Sequence, residues 1–334
     1  MSEFELIATY FKRQTKQLSL VKGIGDDCAI VAVDSNRHLV MSMDTLIVGR
    51  HFPDNARPSQ IATRSFCTCL SDLAAMGATP QWFTLALTLP EADREWVSEF
   101  SDALFAIADE FECDLIGGDT TQGPLTITLQ VHGFVEKDKA LTRDAAQVDD
   151  LVLASGPLGD GKAALEFILN KDAFPMLDEL ESAYLLERFY RPEPQIEIGR
   201  QLLNCANAGI DISDGLLADV QHIADASKVD VEIDLDEIPL SDACLSIAGS
   251  GRQAINYALS GGDDYQLVCT VSPHNISMIE HLLKGSRPLS GASATLSVIG
   301  RVVVMSSSRP TVRCFEKGHL ISMKNQTGYQ HFAS

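Results

Sequence analysis

Strand-like and helix-like patterns alternate along this 334-residue chain, and that alternation narrows the folds it can adopt. Residues 38–48 and 82–89 have the apolar, β-branched composition of strands, and a helical pattern at about 59–76 lies between them. A second helical pattern, at about 91–111, is followed by further strands. Strands that alternate with helices are typical of domains in which helices cover a sheet. We therefore predict a mixed α/β (α+β) fold.

A polar segment, residues 136–150, separates two halves that both contain helices and strands. A chain of this length with 45% hydrophobic residues can bury a sizeable core, and it forms two domains more readily than one. We place the domains at residues 1–148 and 149–334. The predicted elements of the second half are strands at 151–155, 231–235, 265–271 and 296–304 and helices around 161–170, 178–190, 195–206 and 215–227.

The charge of the chain restricts its partners. With 46 acidic and 26 basic residues, the net charge is -20, which would repel nucleic acid and anionic membranes. A small anionic substrate would need a cation between itself and the protein. The N-terminal segment lacks a signal-peptide core, no stretch is apolar for 18 residues, and the eight cysteines form no C-x-x-C motif. We expect a cytoplasmic protein with reduced thiols.

Glycine next to aspartate recurs at the ends of predicted elements, around residues 23–27, 117–119, 213–216 and 261–264. Each occurrence alone is compatible with a turn, because both residues are common there. However, several aspartates lie in apolar or small-residue surroundings, whereas most solvated acids have polar neighbours. These aspartates are Asp27, Asp44, Asp72, Asp119, Asp211 and Asp214.

Asp72 is the clearest of these acids. Apolar residues at 66, 69, 70, 73 and 76 direct most of its helix into a core. An unpaired carboxylate there would cost several kcal/mol, and the basic residues are too few to pair with all the acids. Carboxylates without clustered His or Cys favour Mg²⁺, which keeps waters and shares its sphere with substrate phosphates. The pattern predicts an ATP-using enzyme that binds several magnesium ions.

Residues 156–163, "GPLGDGKA", nearly match the P-loop motif G-x-x-x-x-G-K-[ST] between a predicted strand and a predicted helix. The segment ends in Ala163, so the hydroxyl that would bind Mg²⁺ is missing. We interpret it as a Gly-rich turn between strand and helix, whose glycines could still approach a ligand.

The order of the motifs along the chain resembles the thiamine-monophosphate kinase family, whose members make thiamine diphosphate with ATP. The motifs are "GIGDDCA", "MDTLIVGRHF", "LSDLAAMGATP", "LIGGDTT", "LTRDAA", "DISDGLLAD", "SGGDDYQL" and "TGYQHF". The wider superfamily includes aminoimidazole-ribonucleotide synthetase and selenophosphate synthetase. The resemblance implies an N-terminal mixed sheet that pairs with a second subunit into a barrel, a C-terminal α/β domain that completes the active site, and a homodimer. It also implies ATP and magnesium in a cleft between the domains.

The same resemblance implies roles for individual residues. The implied magnesium ligands are Asp27, Ser42, Met43 through its backbone carbonyl, Asp44, Asp72, Asp119, Asp211 and Asp214. The implied ATP contacts are Gly118, Asp119, Arg143 and Ser213, and the implied contacts to thiamine monophosphate are His51, Asp263 and Tyr329. Two positions depart from the family pattern: Asp263 replaces a usual Glu, and Arg50 replaces a usually apolar residue.

The acceptor of such a reaction is a phosphate monoester that is already ionised near neutral pH, so no general base is expected. We predict direct in-line phosphoryl transfer with electrostatic catalysis. Two alternatives remain open at this point. One is a non-catalytic nucleotide-sensing protein that keeps the ATP site, and the other is another ATP-dependent synthetase of the same superfamily.

Overall fold

The structure is a computed structural model that describes residues 3–25, 28–279 and 296–322. Contacts divide the chain into two compact units. Unit 1 comprises Met1–Leu73 and Ala78–Asp138, and unit 2 comprises Ala74–Gly77 and Lys139–Ser334. The division follows Asp138 rather than residue 148 because the intervening residues bond within unit 2. The Leu141 N–H donates to the Met76 carbonyl, and Thr142 forms a parallel bridge with Ala208.

Unit 1 is built around a mixed sheet. Its elements are α1 (Glu3–Leu6) with a π-helical turn (Ile7–Phe11), β1 (Leu20–Lys22), β2 (Ile30–Val31), β3 (Arg37–Ile47), α2 (Pro58–Ala75), β4 (Thr79–Leu89), α3 (Arg94–Glu110), β5 (Asp114–Gln122) and β6 (Thr126–Glu136). Among the described residues, four strands form one sheet in the order β3-β6-β4-β5, and β1 pairs with β2. The β4–β5 pair is parallel, with α3 as its crossover, and the other pairs are antiparallel.

Helix α2 packs against one face of this sheet. Phe66 contacts Phe83 edge to face with ring centroids 5.2 Å apart, and the Cys69 thiol donates to the Leu129 carbonyl. Side chains alternate along β3, so Met41 and Met43 are exposed while Leu46 is buried. Even-numbered β3 residues therefore face α2, and odd-numbered residues face away from it.

Unit 2 contains a larger sheet with helices. Its helices are α4 (Asp160–Leu169), α5 (Glu179–Tyr190), α6 (Ile196–Leu202), α7 (Leu216–Ser227), α8 (Asp242–Ala248) and α9 (Gly251–Ser260). Its strands are β7 (Leu151–Ser155), β8 (Ala206–Asp211), β9 (Asp230–Asp234), β10 (Leu267–Val271), β11 (Leu296–Val303), β12 (Val312–Glu316) and β13 (His319–Ile321). Within the described residues, seven strands pair in the order β13-β12-β9-β11-β7-β10-β8, and only β12–β9 is parallel.

The predicted mixed α/β fold is confirmed, and most predicted elements lie within a few residues of the observed ones. Strand β2 comprises two residues, Ile30–Val31. The sequence reading did not predict β1, β8, α8, α9, β12 and β13. Helix α9 was missed because it buries only a narrow stripe, Ala254, Ala258 and Leu259.

Over the residues that the structure describes, no helix combines the length and the apolar character needed to cross a membrane.

Candidate functional site

Ser42, Asp44 and Asp72 form a polar group between β3 and α2 in unit 1. The Ser42 hydroxyl donates a hydrogen bond to the Asp72 carboxylate. Burial, followed by the negative charge of Asp72, raises the pKa of Asp44 to about 6. Two carboxylates that repel each other in a partly buried place are unfavourable unless a cation or a proton neutralises them.

Gly118 and Asp119 lie on β5, at nearly the same level of the sheet as Asp44. Leu129 pairs with both Asp44 and Leu85, and Leu85 pairs in turn with Gly118. Asp44 and Gly118 are therefore three strand spacings apart, about 14 Å measured across the strands. Gly118 has φ +155°, and a Cβ there would lie 1.9 Å from the Leu85 carbonyl oxygen, so the close approach of β5 to β4 requires glycine. Asp119 is exposed.

A second group of acids lies between β8 and α7 in unit 2. Asp211 ends β8 and is buried, and Asp219 is a buried residue of α7. The Asp219 carboxylate accepts hydrogen bonds from the backbone N–H groups of Ser213 and Asp214, both at 3.1 Å. Burial, followed by the charges of Asp211 and Asp214, raises the pKa of Asp219 to about 7. The carboxylates of this group therefore also repel one another.

His51 occupies a turn directly after β3. Its Nδ1 accepts a hydrogen bond from the Ile47 N–H at 3.0 Å, and its carbonyl accepts from the Arg64 Nε–H at 2.9 Å. Because Nδ1 is the acceptor, the neutral ring carries its proton on Nε2. Both the ring orientation and the tautomer are therefore set by neighbouring backbone. Arg50, next to it, is exposed.

Asp263 lies in a loop, residues 261–265, that contacts the segment carrying Ser213. The Asp263 N–H donates to the Ser213 carbonyl at 2.9 Å, and the Tyr265 hydroxyl donates to the Asp263 carboxylate, also at 2.9 Å. Tyr265 thus orients the carboxylate that replaces the usual Glu. The structure brings together two residues, Asp263 and Ser213, that are far apart in the sequence.

The chain matches the family model of AIR synthase related protein, N-terminal domain, over residues 25–135. It is 44% identical over 274 residues to thiamine-monophosphate kinase of Salmonella typhimurium, covering 82% of this chain and 83% of the relative. The corresponding enzyme of Escherichia coli K12 is 45% identical over the same length and with the same coverage. The chain belongs to the thiamine-monophosphate kinase family.

Solved structures agree with that membership. Thiamine-monophosphate kinase from Stenotrophomonas maltophilia K279a has a TM-score of 0.80 and 39% identity, covering 88% of this chain and 91% of that chain. AaThiL complexed with AMPPCP and TMP has a TM-score of 0.74 and 28% identity, covering 90% of this chain and 89% of that chain.

The near-match to a P-loop is a strand-to-helix turn in this member of the thiamine-monophosphate kinase family. Gly159 has φ +84° and immediately precedes α4. The N–H groups of Gly159 and Gly161 donate to the two carboxylate oxygens of Asp264, at 2.8 and 3.0 Å. The chain's own carboxylate therefore occupies the N–H groups that a P-loop would offer to a phosphate. Burial raises the pKa of Asp264 to about 7, although these two hydrogen bonds favour its charged form.

Four other residues expected from the family pattern are Arg143, Met43, Asp27 and Tyr329. Arg143 is exposed, and its backbone carbonyl accepts from the Ser227 hydroxyl at 2.8 Å. Met43 is 62% exposed, as its place on the outer face of β3 requires. Asp27 and Tyr329 lie outside the described residues.

Within residues 3–25, 28–279 and 296–322, no three His, Cys, Asp or Glu side chains are grouped closely enough to hold a metal ion. Asp44 and Asp72 lie beside each other with the Ser42 hydroxyl bonded to Asp72, and such hard oxygen donors suit Mg²⁺. Mg²⁺ completes its coordination with waters and substrate phosphates, so it does not need a cage made only of protein side chains. The donor set and the raised pKa of Asp44 therefore fit a magnesium site.

Sequence reasoning did not assign Asp219, although it is the last residue of the "DISDGLLAD" motif. The available signal was its position on α7, where Leu216, Val220 and Ile223 face the core on the same side of the helix. An acid next to such a buried stripe indicates a buried hydrogen-bonding partner, and here the partners are the backbone N–H groups that precede the helix.

Proposed function

We propose that the chain transfers the γ-phosphoryl group of ATP to thiamine monophosphate, giving thiamine diphosphate and ADP. The observation that carries the proposal is family membership over more than four fifths of the chain. The solved complex of AaThiL with AMPPCP and TMP supports the same pair of substrates. The two groups of repelling carboxylates support it chemically, because phosphate transfer between two anions needs cations.

The acceptor explains why the site needs no general base. A phosphate monoester has a second pKa of about 6 and is largely a dianion at neutral pH. Its approach to ATP is opposed by about 4 kcal/mol for each pair of unit charges ~4 Å apart at an effective dielectric near 20. The task of the protein is therefore to position two anions and to compensate their charge.

We assign the magnesium ligands to carboxylates, one hydroxyl and one backbone carbonyl. They are Asp27, Ser42, the Met43 carbonyl, Asp44, Asp72, Asp119, Asp211 and Asp214. When bound, Mg²⁺ supplies the positive charge that offsets repulsion between the phosphates. Ser42 holds the Asp72 carboxylate through its hydrogen bond, and Asp219 holds the Ser213–Asp214 backbone in place.

The substrate contacts are part of the same proposal. Gly118, Asp119, Arg143 and Ser213 bind ATP, and His51, Asp263 and Tyr329 bind thiamine monophosphate. The turn that fixes His51 and the hydrogen bond from Tyr265 to Asp263 support these roles, since both side chains are held in one orientation. Transfer is in line and without a phosphoenzyme, so the configuration of a chiral γ-phosphorus should be inverted.

We also propose that the chain acts as a cytoplasmic homodimer joined through the outer face of β3. Met41, Met43 and Ile47 on that face are 57%, 62% and 41% exposed, and β3 is an edge strand among the described strands of its sheet. All eight cysteines are free thiols, which suits a reducing compartment.

The proposed function is tested by ADP release from Mg-ATP in the presence and absence of thiamine monophosphate. We expect ADP formation that requires thiamine monophosphate and stops when EDTA removes magnesium. ATP binding without turnover would instead favour the nucleotide-sensing alternative, and turnover with free thiamine would contradict the acceptor assignment.

A further inference from the structure

The loop that carries Asp263 has an unusual backbone. Gly262, Asp263 and Tyr265 have φ of +67°, +62° and +50°, so two residues with side chains adopt the left-handed region. Such conformations persist only where the surrounding structure holds them, and they concentrate at functional sites. A cause for this backbone must therefore lie in the contacts of the loop.

Asp264 lies between the two strained residues, and its side chain points into the protein. It is fully buried, and its two carboxylate oxygens accept hydrogen bonds from the backbone N–H groups of Gly159 and Gly161. These N–H groups belong to the first turn of α4 and the residue before it, where a negative charge is favourable. The loop is thereby attached to the helix N-terminus.

A buried ion pair supports the same attachment. Arg188 donates to the Asp264 carbonyl at 2.9 Å, and its Nε lies 3.3 Å from the Asp160 carboxylate. Asp160 is fully buried and also accepts from the hydroxyls of Tyr184 and Ser241. Residues of α4, α5 and the segment before α8 therefore converge behind the loop.

The front of the loop is fixed independently. The Asp263 N–H donates to the Ser213 carbonyl at 2.9 Å, and the Tyr265 N–H donates to the Ile212 carbonyl at 2.8 Å. Behind the loop there is no spare room, since a Cβ on Gly161 would lie 2.5 Å from the Asp263 carbonyl carbon and oxygen. A displacement of Asp264 would therefore move the Asp263 backbone.

We infer that Asp264, supported by Arg188, is a positioning residue that fixes Asp263 and the Tyr265 hydroxyl for recognition of the phosphomonoester acceptor. This inference rests on the proposed function and deepens it. Asp264 does not touch the substrate. Its carboxylate holds the backbone of Asp263, the residue that contacts the substrate. The buried hydrogen bonds to Gly159 and Gly161 maintain the left-handed conformations of Asp263 and Tyr265.

The principal test is Asp264→Asn, which keeps the shape of the side chain but places an NH₂ group against one of the two N–H donors. We expect the KM for thiamine monophosphate to rise about tenfold or more, while the KM for Mg-ATP and kcat change less than about threefold. Binding of thiamine monophosphate without ATP, measured by calorimetry, should weaken by the same factor.

Asp230→Asn is the matched control. Asp230 is also fully buried. Its carboxylate accepts hydrogen bonds from the backbone N–H groups of Ser306 and Thr311, at 2.9 Å each. Residues 306–311 include no assigned site residue. The control should lower the thermal stability, because the charged carboxylate of Asp230 is favoured by its hydrogen bonds, and leave the KM for thiamine monophosphate unchanged. A selective change in the KM therefore separates positioning from loss of stability.

Gly161→Ala provides a second test that removes no charge. Its methyl group must displace the Asp263 backbone, so the KM for thiamine monophosphate should also rise selectively.

The inference is overturned if a folded Asp264→Asn or Gly161→Ala variant keeps the wild-type KM, or if both KM values rise equally. Wild-type protein without turnover of thiamine monophosphate would refute the proposed function and this inference together, whereas an active wild type with unaltered variants would refute the inference alone.

Discussion

Asp44 and Asp72 support the proposed magnesium site at the scale of single residues. Asp44 is partly buried beside a like charge, so its carboxylate is destabilised and its pKa rises to about 6. Asp219 is destabilised in the same way in unit 2. The sequence reading identified Asp44 and Asp72 from their apolar surroundings. It did not assign Asp219, although the buried stripe of α7 beside this acid was an available signal.

We expect Asp44→Asn to reduce turnover of thiamine monophosphate about a hundredfold or more while the protein remains folded, because charge compensation at phosphates contributes that much or more to catalysis. Steady-state kinetics and circular dichroism measure the two properties. Asp102→Asn is the control, since it removes the same charge from an exposed side chain of α3 that pairs with Arg13. Near-normal turnover in the Asp44 variant would contradict the assignment.

The pH dependence of metal-free protein follows from the same shifts. A carboxyl group whose folded pKa lies above its unfolded pKa binds more protons when folded, so stability is lost as the pH rises from about 4 to 7. For Asp44 this loss is about 2 kcal/mol, discounted for its partial exposure. In EDTA, Asp44→Asn should therefore melt at a higher temperature than wild type at pH 8, and the difference should disappear at pH 4. An equal difference at both pH values would refute the explanation.

At the scale of secondary-structure elements, periodicity in the sequence was sufficient where an element buries a broad face. Helix α2 and strand β4 were predicted on that basis. Helices α8 and α9 were missed because they bury few residues each. The loop 261–265 could not be predicted either. Its conformation depends on backbone groups of the segment before α4 and of α4, about a hundred residues earlier, and no local pattern reports such contacts.

The close approach of β5 to β4 gives a prediction at this scale. Gly118→Ala should lower the free energy of unfolding by about 2 kcal/mol or more and weaken ATP binding, because the new Cβ would overlap the Leu85 carbonyl. Gly117→Ala is the matched control, since a Cβ there would meet its nearest neighbour, Thr84, at 3.8 Å. Urea denaturation measures both variants, and equal stability of the two would contradict the proposed role of Gly118.

At the scale of the whole molecule, the exposed outer face of β3 supports the proposed homodimer. The outer face of β3 exposes Met41, Met43 and Ile47, and we expect a second copy to cover it. Met41→Lys should therefore shift the mass in light scattering from dimer to monomer. Leu180→Lys, at an 81% exposed position of α5, should leave the mass unchanged. A monomeric wild type would refute the dimer.

Phosphorylation of thiamine monophosphate is the activity that we propose for this chain. The most direct measurement is phosphorus NMR of the purified protein with Mg-ATP and thiamine monophosphate, compared with free thiamine and with an unrelated phosphomonoester. We predict the two coupled resonances of thiamine diphosphate in the first reaction and no new phosphate ester in the others. Absence of thiamine diphosphate, or phosphorylation of free thiamine, would refute the proposed reaction.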